Sequence, residues 1–130
     1  LYGAAPHTDY GFLTFLAQHR LPGLQVRTTD GTWIDVPVAE DAFVLNSADI
    51  LRRWSNGRWV STPHRVVNRT GRERYSAPFF FDPHMTTVVE PLPSCVPAGE
   101  RPRYEPVVYG DYLMDRLRAN YTQHQDGPDG

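Results

Sequence analysis

The chain has 130 residues, of which 40% are hydrophobic, so its length and composition suit one domain with a core of its own. Its formal net charge of −2 excludes the strongly basic surface that binds nucleic acid or an anionic membrane, and no apolar run is long enough for a membrane span. The single cysteine, Cys95, excludes an internal disulfide framework and is typical of a cytoplasmic protein in a reducing environment.

Short apolar and β-branched runs recur through the first two thirds of the sequence, with turn residues between them, which predicts an all-β sandwich or barrel. The predicted strands are Phe12–Leu16, Leu24–Thr28, Trp33–Val38, Ala42–Asn46, Trp59–Ser61, His64–Asn68, Tyr75–Phe81 and Thr86–Val89. Asp30-Gly31 and Asn56-Gly57 favour type I′ hairpin turns, in which both central residues have positive φ. Asp49–Arg53 is expected to form a short helical turn before the second of these dipeptides.

The sequence changes character after Glu90. Prolines recur up to Pro106 and predict an extended linker. Apolar residues then share one face from Tyr109 to Tyr121, which predicts a helix, and the tail Gln123–Gly130 is expected to be frayed. We therefore divide the chain into a β-rich core of residues 1–95 and a C-terminal part of residues 96–130 that holds linker, helix and tail.

His7 and Asp9 are the first residues in the chain that could together bind a metal ion. On an extended segment, residues two apart point to the same side, so one imidazole and one carboxylate reach one metal ion from a single piece of backbone. An isolated His-x-Asp pair is a weak signal. Because the motif lies so near Leu1, and Leu1 is not a methionine, we expect the sequence to be a piece of a longer chain.

A third ligand is expected from a distant strand, and His64 is the best candidate. Two histidines and one carboxylate form the facial triad of non-haem iron(II) oxygenases, which leaves coordination positions open for a cosubstrate and O₂. The same set also suits Mn(II), Co(II) or Zn(II), and the alternative for His64 is a strand histidine bonded only to backbone groups. Asp82-Pro83-His84 is interpreted as a loop rather than a second ligand pair.

Arg74 and Ser76 come later in the chain, and we expect them to share one face of a strand. A guanidinium pairs bidentately with a carboxylate, and a serine hydroxyl adds one hydrogen bond. The apolar run after them makes an unpaired charge costly, so an anionic ligand such as a dicarboxylate is expected. The alternative for Arg74 is an edge-strand charge that prevents aggregation.

Several segments of the chain, in this order and spacing, carry a resemblance to a known family. They are His7–Leu16, Gly23–Val26, Asn46–Asp49, Trp54–Arg58, His64–Val66 and Arg74–Ser76. With them the chain resembles the C-terminal catalytic part of the iron(II)/2-oxoglutarate-dependent dioxygenases, in the isopenicillin N synthase-like group.

The resemblance implies a double-stranded β-helix, or jelly roll, with a C-terminal helix. It implies that His7, Asp9 and His64 bind Fe(II), and that Arg74 and Ser76 bind the distal carboxylate of 2-oxoglutarate. It also implies an enzyme that uses O₂ to hydroxylate, desaturate or cyclise a small organic substrate, with release of succinate and CO₂.

The family's upstream strand and helical N-terminal region have no counterpart here, so the piece alone is not expected to be a complete enzyme. A jelly roll without an opening strand exposes a sheet edge, which predicts dimerisation, strand swapping or aggregation. Two other functions stay open. One is a non-catalytic, cupin-like binding module, and the other is a metal enzyme that uses ascorbate or the substrate's own electrons instead of 2-oxoglutarate.

Overall fold

The computed structural model describes residues 2–125. The strands in this range are β1 (Tyr2–His7), β2 (Leu13–Gln18), β3 (Leu24–Arg27), β4 (Trp33–Asp35), β5 (Phe43–Ser47), β6 (His64–Val67), β7 (Ser76–Phe81), β8 (Val88–Val89) and β9 (Val107–Val108). The helices are α1 (Asp49–Trp54) and α2 (Tyr109–Gln125), and a 3₁₀ turn spans Pro93–Cys95. Within residues 2–125, neither helix has the length and apolar character that crossing a bilayer requires.

Two antiparallel sheets form the body of the fold. One has the strand order β1-β6-β3-β4, and the other has the order β5-β2-β7. Side chains from both sheets line one cavity of about 350 Å³. This is the predicted all-β jelly-roll architecture, with the predicted C-terminal helix after it.

Most of the predicted strands have a counterpart with slightly different ends, but β1 and β9 were not predicted. In β1, Pro6 cannot donate to a ladder and the segment lacks β-branched residues, yet the strand forms because it lies at a sheet edge. The strand predicted at Trp59–Ser61 is wrong. That segment has no strand pairing, and the side chain of Trp59 is 60% exposed.

The two turn dipeptides behave differently from one another. Asp30-Gly31 joins β3 to β4 in the predicted hairpin, but only Gly31 has a positive φ, of 90°, so the turn is not type I′. Asn56-Gly57 does not form a hairpin. These two residues have φ of 53° and 84° and end α1, where the Gly57 N–H donates to the Arg52 carbonyl at 2.8 Å. Left-handed residues terminate helices as readily as they close hairpins.

The tightest packing lies outside the two sheets. Ile50 of α1, Val89 of β8 and Tyr109 of α2 are almost fully buried against one another, and we call these three residues the packed cluster. Four partly buried side chains surround it: Trp54, Val107, Tyr112 and Leu113. The cluster therefore fastens both helices and the β8-β9 ribbon to one another.

Helix α2 begins at Tyr109, as predicted, and continues to Gln125; residues 126–130 of the tail predicted to fray lie outside the described residues. The predicted linker is not extended throughout, because it contains the 3₁₀ turn at Pro93–Cys95. Pairing of β8 with β9 joins residues from the two sides of the boundary drawn at residue 95. The division at that boundary stays a prediction.

The outer face of the three-stranded sheet is apolar and exposed. Phe15 lies between Leu45 and Phe79 in the strand register, and the last two side chains are 57% and 64% exposed. Every residue of β7 is exposed, and β7 lies at an edge of its sheet. Dimerisation or strand swapping stays a prediction, and this face and edge are where we expect it.

Candidate metal centre

Strand pairing brings the two histidines together. His7 is the last residue of β1, His64 is the first of β6, and the two are register partners in the antiparallel pair. Their imidazole ring centres are 4.3 Å apart. Asp9 comes just after β1 and turns its carboxylate towards the same point, where it is 7% exposed.

The three predicted ligand atoms converge. The Nε2 atoms of His7 and His64 lie 3.7 Å and 3.5 Å from Oδ1 of Asp9. One atom from each of the three residues lies within 4.8 Å of the other two. Among the side chains of residues 2–120, no other group of at least three His, Cys, Asp or Glu lies this close together, and Asp82-Pro83-His84 forms no such group.

Backbone carbonyls orient both imidazoles. Nδ1 of His7 lies 2.7 Å from the carbonyl oxygen of Ala5, and Nδ1 of His64 lies 3.1 Å from that of Thr62. A carbonyl can only accept, so each Nδ1 must carry the hydrogen and each Nε2 presents a lone pair. Hydrogen bonding of this kind fixes ring orientation in metal-binding histidines.

The two oxygens of the Asp9 carboxylate have different surroundings. Oδ2 accepts hydrogen bonds from the Thr14 hydroxyl at 2.6 Å and from the Asn46 amide at 2.9 Å. Oδ1 faces the two imidazoles, and no hydrogen-bond donor reaches it from the described part of the chain. Sequence reasoning assigned no role to Thr14 or Asn46; the available signal was a polar residue within each of two apolar strands.

The donor set fits a divalent transition-metal ion. Ligands held at about 2.0–2.2 Å from one ion lie roughly 3–4 Å from each other, and both Nε2–Oδ1 distances fall in that range. Two neutral imidazoles and one carboxylate carry a single negative charge, which suits Fe(II) and leaves further coordination positions open. The His7 side chain is 41% exposed, so the centre is accessible from one side.

Arg74 lies two residues before β7, so the expectation that it shares a strand with Ser76 does not hold; β7 begins at Ser76. The guanidinium is nevertheless close to that hydroxyl, with Nη1 3.4 Å from Ser76 Oγ. It also donates to the Leu21 carbonyl at 3.2 Å and to Oε1 of Gln18 at 3.1 Å. Gly23, with φ of 150°, leaves room for the Arg74 side chain, because a Cβ there would lie 3.2 Å from Nε.

The charge on Arg74 has no carboxylate partner among the described residues. Burial lowers the pKa of this guanidinium from its ordinary value, as expected for a cation without a counter-ion. Ser76 lines the same 350 Å³ cavity as His7, Asp9 and His64. The cavity thus runs between the two sheets from these three side chains to Ser76, whereas Arg74 lies beside Ser76 and lines a separate cavity of about 270 Å³.

A second cavity, of about 470 Å³, opens on the other side of His7 and Asp9. Phe80 lines both cavities. The wall opposite the ligands comes from α2, through Leu113, Leu117 and Asn120. A molecule held there would lie beside the metal centre but outside the space between the sheets.

Asp82 fixes the turn after the ligand pair. Its Oδ1 accepts from the Phe12 N–H at 2.9 Å, and its Oδ2 accepts from the Tyr109 hydroxyl at 2.8 Å. A Cβ on Gly11 would lie 1.6 Å from Oδ1, so no larger residue fits at position 11 while Asp82 keeps this place. The loop interpretation of Asp82 is consistent with this supporting role.

Comparison with known families gives a match over most of the chain. The family model described as the 2OG-Fe(II) oxygenase superfamily matches residues 1–83. Among curated proteins, the chain is 42% identical over 120 residues to a 2-oxoglutarate-Fe(II) type oxidoreductase, hxnY, of Emericella nidulans, covering 92% of this chain and 34% of that protein. It is 39% identical over 117 residues to a feruloyl CoA ortho-hydroxylase of Ipomoea batatas, covering 89% of this chain and 33% of that protein.

Solved structures give a similar result. Neurospora crassa T7H in complex with alpha-KG and thymine is 40% identical, with a TM-score of 0.84 over 91% of this chain and 37% of that one. JOX2 in complex with 2OG, Fe and JA is 35% identical, with a TM-score of 0.81 over 88% of this chain and 34% of that one. The chain therefore spans about a third of the length of the curated relatives that it matches.

Proposed function

This chain belongs to the 2OG-Fe(II) oxygenase superfamily, and on that premise we propose that it carries the metal and cosubstrate sites of a dioxygenase that oxidises a small organic molecule. The observation that carries the proposal is the convergence of three ligand atoms within 4.8 Å at a cavity whose far end holds Ser76 beside Arg74. A metal site alone would serve many reactions. A metal site whose cavity reaches a serine beside an uncompensated guanidinium suits a dicarboxylate cosubstrate.

His7, Asp9 and His64 would hold Fe(II). With 2-oxoglutarate and O₂, the bound ion supplies oxidation of a substrate C–H bond, leading to hydroxylation, desaturation or cyclisation with release of succinate and CO₂. The contribution of the chain is orientation. The Ala5 and Thr62 carbonyls keep each Nε2 directed at the shared point.

Arg74 and Ser76 would bind the distal carboxylate of 2-oxoglutarate. Arg74 lies beside Ser76, which lines the cavity, and an arriving carboxylate would complete the hydrogen bonding that Leu21 and Gln18 begin. Ser76 Oγ, 3.4 Å from Nη1, can donate to the same carboxylate. The cavity walls between the metal centre and Ser76 are apolar and include Leu24, which suits the methylene carbons of the cosubstrate.

The cavity beside α2 would hold the substrate. Its lining of Phe80, Leu113 and Leu117 favours an apolar body, and Asn120 offers one polar contact. One relative is named a feruloyl CoA ortho-hydroxylase, and two of the similar solved structures are complexes with thymine and with JA; these three molecules differ widely in size. The substrate class proposed here is therefore a small organic molecule with an apolar portion next to the metal.

Succinate release by the full-length protein, including any residues that precede Leu1, tests the proposal. We expect succinate to form from 2-oxoglutarate only when Fe(II) and O₂ are both present, and faster when a substrate is added. Metal binding without any turnover of 2-oxoglutarate would contradict the dioxygenase and favour either a binding module or an oxidase that uses another electron source. An Arg72→Ala variant, altered at an exposed arginine in the loop before β7, should release succinate at the parent rate.

Three further parts of the proposal rest on separate observations. Membership of the isopenicillin N synthase-like group is supported by the order and spacing of the motifs from His7–Leu16 to Arg74–Ser76. A cytoplasmic location is supported by the single free cysteine, Cys95. A homodimer formed through the exposed edge at β7 is supported by the exposure of every residue of that strand.

A further inference from the structure

The Asp9 carboxylate is held from one side only. Thr14 and Asn46 both donate to Oδ2, and Oδ1 is left to the two imidazoles. We infer that Thr14 and Asn46 are positioning residues, which restrict Asp9 to binding the metal through one oxygen. This inference rests on the proposed role of Asp9 as an iron ligand.

Both donors come from the sheet opposite the histidines. Thr14 lies on β2 and Asn46 on β5, and the two are register partners across that strand pair. The histidines lie on β1 and β6 of the other sheet. The two donors therefore hold the carboxylate across the gap between the sheets. They fix the position of the ligand loop, which is residues 8–12 between β1 and β2, relative to both sheets.

The hydrogen bonds from Thr14 and Asn46 to Oδ2 of Asp9 are short, and Thr14 is buried. Thr14 is 4% exposed, and its hydroxyl lies 2.6 Å from Oδ2, in the range typical of a hydroxyl that donates to an ionised carboxylate. A second donor, the Asn46 amide at 2.9 Å, occupies another lone pair of the same oxygen. With both donors in place, Oδ2 is a poor ligand and Oδ1 is a good one.

A single coordinating oxygen matters for the proposed chemistry. An aspartate that binds through both oxygens takes two coordination positions, and with the two histidines it leaves two of six. An aspartate that binds through one oxygen leaves three. The proposed cosubstrate and O₂ would together need all three, so the Thr14–Asn46 pair would keep the third position open.

The simpler alternative is that Thr14 and Asn46 only satisfy a buried carboxylate and stabilise the fold. The two roles differ in what they change. A stabilising role predicts that removing a donor lowers the free energy of unfolding of the metal-free protein and leaves the coordination of bound metal unaltered. A positioning role predicts weaker metal binding and an altered ligand field.

The test uses Co(II), whose visible absorption reports coordination number, titrated anaerobically into the full chain. Thr14→Val and Asn46→Leu each remove a donor at nearly constant volume, and Thr14→Ser keeps the hydroxyl. We expect the first two variants to bind Co(II) about 10- to 100-fold more weakly, with a changed visible spectrum, and Thr14→Ser to keep the parent spectrum. Thr87→Val makes the same change of atoms outside the site and should match the parent protein.

The outcomes separate this inference from the proposed function. If the parent protein binds no Co(II), or if His64→Ala binds it equally well, the metal site itself is wrong. If His64→Ala abolishes binding while Thr14→Val and Asn46→Leu keep the parent affinity and spectrum, the positioning role is overturned and the metal site stands. If Thr14→Val does not fold, as judged by circular dichroism, Asn46→Leu decides alone, because Asn46 is only partly buried.

Discussion

The packed cluster and the space between the sheets differ in almost every physical respect. Ile50 and Val89 have no exposed surface and Tyr109 has 2%, whereas the two sheets enclose a cavity of about 350 Å³ between them. The close-packed region contains none of the predicted metal or cosubstrate ligands. The three proposed metal ligands and Ser76 line the cavity, and Arg74 lies beside Ser76.

The two regions meet at the ligand loop. The first amides of α1 donate backward, from Asp49 N–H to the Asp9 carbonyl at 3.0 Å and from Ile50 N–H to the Gly11 carbonyl at 2.8 Å. The packed cluster thus anchors the loop through backbone hydrogen bonds, while the sheets supply the side chains that face the metal centre. Stability and ligand binding are therefore expected to respond to different substitutions.

The largest expected effect is on stability, from Ile50→Ala. Ile50 is completely buried, and such a truncation costs about 2–5 kcal/mol of unfolding free energy. Leu16→Ala removes a similar volume from a side chain that lines the cavity, and should cost about half as much or less. Urea unfolding of both variants measures the difference; equal losses would contradict the contrast between the two regions.

The next effect is on binding, from Arg74→Ala. Loss of charge-assisted hydrogen bonds to the cosubstrate should raise the 2-oxoglutarate concentration for half-maximal succinate release by about 10- to 100-fold. Fe(II) affinity and the unfolding midpoint should stay close to those of the parent, because Arg74 contacts neither the metal ligands nor the packed cluster. Arg72→Ala is the matched control, and an equal change in that variant would show that general surface charge is responsible.

The smallest effect concerns Tyr109→Phe, which removes the hydroxyl that donates to Asp82 at 2.8 Å. We expect a loss of about 1 kcal/mol at neutral pH, as for a typical intramolecular hydrogen bond. Tyr75→Phe, in which the lost hydroxyl bonds to exposed Glu73, should leave the unfolding free energy unchanged. A loss in Tyr75→Phe as large as in Tyr109→Phe would mean that burial does not distinguish the two hydroxyls.

The same tyrosine predicts a dependence on alkaline pH. Burial, together with the hydrogen bond to Asp82, raises the pKa of Tyr109 above its ordinary value, which is about 10. A raised pKa in the folded state means that this stabilisation is complete below pH about 10 and is lost as the pH rises towards the folded-state pKa. From pH about 9 upward, the unfolding free energy should fall less steeply with pH in Tyr109→Phe than in the parent protein. Equal slopes in the two proteins would contradict a raised pKa for Tyr109.

Much of the fold could be predicted because turn residues and β-branched runs are local signals. β1 could not be predicted, because Pro6 and two alanines do not signal a strand and the segment forms one only at a sheet edge. Asn56-Gly57 was misassigned because the dipeptide signals positive φ but carries no information about the element that comes next. Whether such a turn closes a hairpin or ends a helix depends on the packing of α1 against the ribbon.

The candidate site, like the fold, could be predicted only in part. His7, Asp9 and His64 could be proposed from residue type, spacing and family resemblance, and they converge in the structure. The hydrogen bonds from Thr14 and Asn46 to Asp9 could not be predicted, because they depend on the register between β2 and β5. Cross-strand register is set by the packing of whole sheets, which no short motif records.

Fe(II) binding by His64→Ala tests the central claim most directly. Measured anaerobically by equilibrium dialysis, the parent chain should bind one Fe(II), and so should His84→Ala, in which a loop histidine outside the centre is removed. His64→Ala should lose this binding while keeping its fold, as judged by circular dichroism. Unchanged Fe(II) affinity in His64→Ala would contradict the claim that His7, Asp9 and His64 form one metal centre.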